Sequence, residues 1–217
     1  MVRSGAGPAH LTLWNQLVKF VRMFQPVEDS SRRRQLLDAA LDVFLKFGFR
    51  KTSMDEVARA AQVSRQGLYL HFSNKEALFR AVVEHALAAA LAAAEARLDD
   101  TTSSTRERLV GAFDEWMGRY VGVIGGGVSD LGEASHALVL PLLQREQERF
   151  LGQLARCMRS SGLLAAYKPA GLTARQLAET LHATAHGLKY ECKTRQQFVE
   201  GIGRAVRALC LPLGARA

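Results

Sequence analysis

The sequence predicts an all-α chain of about nine helices, and three observations carry that prediction. Apolar residues recur at intervals of three and four rather than alternating. Only five prolines occur in 217 residues, at positions 8, 26, 141, 169 and 212, so long stretches hold no helix breaker. Ser or Thr followed three residues later by Glu or Gln recurs ahead of apolar runs, a pattern that satisfies the free amides of a helix start.

Composition bounds the function classes. Apolar residues make up 48% of the chain and charged residues 23%, which fits a chain that buries a core rather than a disordered one. The charge is more informative: 29 Lys and Arg against 21 Asp and Glu leave a net +8, which points to a polyanion or an anionic surface as partner. Cys157, Cys192 and Cys210 are odd in number and form no CxxC pair, so neither a disulfide framework nor a zinc knuckle is expected, and a reduced, cytoplasmic setting fits. The most apolar stretch, 86–94, is mostly alanine and far short of the roughly 20 residues that span a bilayer. Residues 11–24 are interrupted by Asn15, Gln16, Lys19 and Arg22, so no signal peptide and no membrane partner are expected.

Taken in order, residues 1–29 read as an N-terminal extension. Leu11, Trp14, Val18, Val21 and Phe24 fall near one face of an amphipathic helix that Pro26 closes, and self-packing or a variable arm is favoured over lipid contact. From Ser31, Leu37, Ala40, Leu41, Phe44 and Phe47 lie on one face of a first helix, and Gly48 stands at its end. Ser53 and Glu56 form a capping box that opens a brief second helix. About three residues later Ser64 caps a third, with Val63 and Leu68 as a hydrophobic staple across its start. Ser73 and Glu76 open a long fourth helix. Further helices are expected at 105–120, 137–160, 173–191 and 194–209, the last two opened by Thr173 with Gln176 and Thr194 with Gln197. The glycine-rich stretch 122–132 lacks the lysine of a phosphate loop and follows no strand, so it reads as a flexible connection.

A first helix followed by two short helices across a tight turn is a helix-turn-helix, whose last helix can enter the major groove of DNA. Leu68 and Phe72, one turn apart, face the core, which leaves Gln66, Gly67, Tyr69 and Leu70 on the outer side. Gln66 can pair with an adenine edge, Leu70 can touch a thymine methyl, Gly67 permits close approach and Arg65 can reach guanine or phosphate. Ser64, Tyr69 and His71 suit phosphate oxygens, as do Thr52 and Ser53 at the start of the second helix. Lys75, in the first turn of the fourth helix, is a further phosphate candidate.

The segment 32–83 resembles the DNA-binding domain of the TetR/AcrR family of bacterial transcriptional regulators. The likeness rests on T-S-x-x-x-V-A at Thr52, V-S-x-x-x-L-Y-x-H-F at Val63 and x-K-E-x-L at Asn74. Gln66 stands where many members have glycine, with Gly67 one place on. The resemblance implies a homodimer on a near-palindromic operator, a divergent helical domain for a small-molecule effector and for dimerisation, and most often repression. It divides the chain into an extension (1–29), a helix-turn-helix domain (30–76) and an effector-binding and dimerisation domain (77–217). Residues 30–85 hold ten Lys and Arg against six Asp and Glu, half of the chain's excess positive charge in about a quarter of its length.

In the second half, Phe113, Trp116, Met117 and Tyr120 form an aromatic-rich stripe that suits either a core or an effector pocket, with His182 and His186 as polar lining. Leu177, Leu181 and Leu188, with Phe198, Ile202, Ala205 and Leu209, have the spacing of either a core or a two-fold helical interface. Glu179, His182 and His186 share one face, so a metal sensor or metal-dependent enzyme stands as an alternative class. A DNA-binding protein without effector is another. No catalytic set is assigned, and no cofactor or bound metal is expected.

Overall fold

A computed structural model describes residues 26–122 and 133–213. The expectations for 1–25 and for 123–132, including the Leu11 to Phe24 face, lie outside these residues. Among the described residues nine α-helices follow one another: α1 (Pro26–Lys51), α2 (Met54–Ala60), α3 (Arg65–His71), α4 (Lys75–Asp99), α5 (Thr105–Trp116), α6 (Glu133–Ser160), α7 (Leu163–Tyr167), α8 (Ala174–Glu191) and α9 (Arg195–Leu209). No strand occurs among the described residues, as the period of the apolar pattern predicts.

Two apolar cores organise these helices. The first gathers Leu36, Leu37, Ala40, Val43 and Phe44 of α1 with Val57 and Ala58 of α2, Leu68 of α3, and Leu78, Phe79 and Val82 of α4. Phe44 and Phe79 meet edge to face at 5.0 Å, and Phe49 closes a triangle with both. The second core is built on Leu91, Ala94 and Leu98 of α4, Phe113 and Trp116 of α5, Phe150 and Leu154 of α6, Leu177 and Leu181 of α8, and Phe198 and Ile202 of α9. α4 therefore runs through both cores. It has the length and composition of a membrane-crossing helix, but Leu78, Phe79, Val82, Ala90, Leu91, Ala94 and Leu98 are buried against other helices. α6 also reaches both: Val139 packs into the first core, Phe150 and Leu154 into the second.

Several ends differ from expectation for local reasons. α1 begins at Pro26, ahead of the expected start, where proline's fixed φ suits a first helical position. At Gly48, where the sequence predicts its end, a φ of 77° kinks the helical path, and a last short turn carries the element on to Lys51. Val43 is buried where Leu41 is only partly so, and Phe47, expected in the core, is 42% exposed beneath Lys46 Nζ at 5.1 Å. Asn74, not Ser73, caps α4, its Oδ1 accepting from Ala77 N at 2.7 Å. α5 stops at Trp116 and passes into a short 3-10 turn, Gly118–Tyr120. The box at Thr173 is complete, whereas at Thr194 only half forms, because Gln197 Oε1 accepts from Lys193 N instead. α7 has no cap signal of its own; Leu163 anchors it in the core, and Tyr167 donates its hydroxyl to Leu209 O at 2.6 Å.

Candidate nucleic-acid interface

α2 and α3 are joined by residues 61–64, and hydrogen bonds fix the turn. Ala61 N donates back to Val57 O, Val63 N to Ala58 O, and Gln62 takes a left-handed φ of 55° to let the chain reverse. Ser53 caps α2 through a full capping box, with Ser53 N donating to Glu56 Oε2 at 2.7 Å and Glu56 N to Ser53 Oγ at 3.2 Å. The Ser53 amide and then its hydroxyl, both donating to Glu56 Oε2, hold the Glu56 carboxyl below its usual range. Ser64 caps α3, its Oγ accepting from Gly67 N at 2.9 Å. Both caps are i to i+3 effects, which is why they are legible from spacing alone.

With Leu68 fully buried and Phe72 nearly so, the opposite side of α3 is open to solvent. Arg65, Gln66, Tyr69, Leu70 and His71 are exposed there, together with the partly exposed Gly67. Leu70 is 81% exposed, an apolar side chain of that size standing on a polar surface with nothing among the described residues covering it. Arg65 is not free in this array. Its NH1 donates to Asp55 Oδ2 at 3.0 Å, and its guanidinium lies 5.7 Å from the centre of the Tyr69 ring.

Two candidate phosphate contacts sit differently from expectation. Thr52 is 2% exposed and donates its hydroxyl to Gly48 O at 2.8 Å, so it closes the turn after α1 rather than facing outward. Lys75 donates to Phe49 O at 3.0 Å and Thr52 O at 3.1 Å, and approaches Arg50 O, with its amine 4.5 Å from the Phe49 ring centre. The lysine thus caps the carbonyl end of α1, a role set by partners more than 20 residues away and invisible to local spacing.

In the helical domain, Phe113, Trp116 and Met117 are core residues, and Tyr120 is partly buried beside them. Phe113 meets Phe150 edge to face at 5.3 Å, and Trp116 stacks on it at 5.1 Å. The aromatic stripe is thus committed to packing. His182 is buried and His186 exposed, their rings 6.4 Å apart; burial and the neighbouring imidazole lower the His182 pKa. An open cleft of about 220 Å³ lies elsewhere, between α4, α5 and α6, lined by Glu95, Asp99, Arg108, Gln153, Arg156 and Cys157 among others. None of the six expected pocket residues lines it.

The candidate interface residues divide by burial. Leu177, Leu181, Phe198 and Ile202 are at most 4% exposed within the single chain, so they lie in its intramolecular core, one of the two readings their spacing allows. Leu188, Ala205 and Leu209 are partly buried against the same core. The solvent side of α8 carries Gln176, Glu179, Thr180, Ala183, Thr184, His186, Gly187, Tyr190 and Glu191. The Glu179 carboxylate accepts from Arg175 Nε at 2.7 Å, and no group of three metal-ligating side chains converges among the described residues.

Comparison with known proteins places these features. The family described as "Bacterial regulatory proteins, tetR family" matches residues 36–82, which span most of α1, all of α2 and α3 and the first turns of α4. The HTH-type transcriptional regulator RutR of Escherichia coli K12 is 39% identical over 71 residues, which cover 33% of this chain and 34% of that protein. The chain therefore spans about a third of the length of that relative. The crystal structure of a putative TetR-family regulator from Mesorhizobium loti superposes with a TM-score of 0.65 at 19% identity, over 84% of this chain and 96% of that one. The regulator FadR of Bacillus subtilis, solved in complex with stearoyl-CoA, superposes with a TM-score of 0.58 at 16% identity, over 81% of this chain and 96% of that one. At such identities the structures share the fold.

Proposed function

We propose that this chain, which belongs to the tetR family of bacterial regulatory proteins through residues 36–82, is a DNA-binding transcriptional regulator and acts as a repressor in the cytoplasm. Two copies would present their α3 helices to successive major grooves of a palindromic operator, and a small molecule bound in the helical domain would release them. The observation that carries the reading is the outer face of α3, where Gln66, Tyr69 and the 81% exposed Leu70 stand opposite a fully buried Leu68. Such a face pairs polar base-reading groups with an apolar group for a thymine methyl. Release needs an effector that prefers the dimer whose α3 helices no longer match the groove spacing. A coupling of about 1–3 kcal/mol would weaken operator binding roughly 5- to 150-fold. The complex of FadR with stearoyl-CoA shows an acyl-CoA held by a protein of this fold, which supports an effector without naming one for this chain.

Fluorescence anisotropy with the promoter region beside the gene tests the reading. Selective binding over random duplex at about 0.15 M salt is expected. Equal binding of both would remove specific regulation there, and sedimentation of the free and DNA-bound protein reports the stoichiometry. Expression of a reporter behind the same promoter decides repression against activation.

A further inference from the structure

Arg65 opens the reading helix and is held on two sides. One terminal nitrogen is engaged by the Asp55 carboxylate of α2 at 3.0 Å, and the Tyr69 ring, one turn along α3, lies 5.7 Å below the guanidinium carbon. A guanidinium is a rigid planar fork with five N–H donors. With NH1 engaged and a ring beneath it, the plane of the fork is restricted and its remaining N–H edge is left for a second acceptor. Guanine offers two acceptors side by side in the major groove, O6 and N7, which a fork of this kind meets in parallel.

We propose that Asp55 is a specificity-determining residue of the DNA interface that acts through Arg65, aiming the guanidinium at a guanine edge. The inference rests on the reading of the chain as a DNA-binding regulator. In the free protein both partners are more than half exposed, and an ion pair of that kind contributes little to stability. Against a duplex the water is displaced, and the same pair acts in a less polar setting. Asp55 also places a negative charge on a surface that must approach phosphates, so it lowers affinity for DNA of any sequence while raising discrimination. No purely structural role gives those opposite signs.

The experiment selects from a randomised duplex library with the full chain and with Asp55→Asn, Asp55→Ala and Arg65→Ala, then measures each protein on the selected and a scrambled duplex across a salt series. The wild type is expected to enrich guanine at one position of each half-site, a preference that Arg65→Ala abolishes. Asp55→Asn should weaken that preference about tenfold, bind the scrambled duplex more tightly, and steepen the salt dependence by about one unit. Asp55→Ala should do the same, which separates loss of the charge from any misfit of the asparagine amide. If Arg65→Ala loses the guanine and Asp55→Asn keeps it, the positioning role is overturned while Arg65 remains a reader. If Asp55→Asn weakens both duplexes alike, its role is structural and the proposal fails. If Arg65→Ala leaves the preference intact, Arg65 is no reader and the proposal fails at its target. If the wild type enriches no sequence, the regulator reading itself falls and takes the proposal with it.

Discussion

At the scale of single residues, Gln66 and Lys75 illustrate what sequence spacing reveals and what it hides. Both are polar residues of the helix-turn-helix segment, and spacing places both at the DNA. The structure leaves Gln66 exposed on α3 and turns Lys75 inward onto the carbonyls that end α1. Gln66→Ala should therefore cost about 1–3 kcal/mol against one base pair and leave thermal stability unchanged. Lys75→Met should leave base preference alone and lower the unfolding free energy by about 1.5–3 kcal/mol, the range for hydrogen bonds to a charged group. Anisotropy on single-base operator variants, beside urea titrations, separates the two. If Lys75→Met unfolds like the wild type, the capping role is wrong. The caps at Ser53, Ser64 and Thr173 are legible in the sequence because cap and partner lie three residues apart. The fates of Thr52 and Lys75 are not, because a serviceable hydroxyl or amine looks the same whether its acceptor is a phosphate or a neighbouring helix end.

Among elements, the apolar stripes of α8 and α9 were legible as stripes but not in their destination. A period of three and four residues says that one face is covered and does not say by what. Here Leu177, Leu181, Phe198 and Ile202 are covered by their own chain. The helices are also tied by polar contacts that no pattern announces: Arg195 of α9 grips Asp114 of α5 through both carboxylate oxygens, at 2.7 and 2.8 Å. Gly118 makes room for that grip. A methyl group there would press on the Asp114 carboxylate and lie 3.1 Å from Phe198 Cδ1. Gly118→Ala should therefore dislodge Asp114 from Arg195 and destabilise the fold by about 1–3 kcal/mol. Since both changes remove one contact, the double variant with Arg195→Ala should lose less than the sum of the two single losses. Strict additivity of the urea midpoints would show that Gly118 serves something else.

For the whole molecule, pH should act through two separate windows. Burial, and then the charge of His186, disfavour the protonated form of His182 in the folded state. The unfolded chain, with an imidazole near the ordinary 6.5, then takes up the proton first, so this contribution is intact above that pH and lost as pH falls below it. Asp100 works lower. Hydrogen bonds from Thr102 and Ser103 hold its carboxyl at about 2 rather than 3.8, so its contribution is intact above 3.8 and lost on the way down to about 2. Urea midpoints should therefore drop between pH 7.5 and 5.5, and His182→Leu should flatten that drop while leaving the acid limb in place. An unchanged drop in His182→Leu would assign it to another group. The two cores also bear on synthesis. Val139, near the start of α6, fills a place in the core of the helix-turn-helix domain, whose other members, α1 to the first turns of α4, end well upstream. While the chain is being made, the place of Val139 in that core stays unfilled until α6 has left the ribosome, so the packing of the proposed reading domain would be completed late, together with the helical domain.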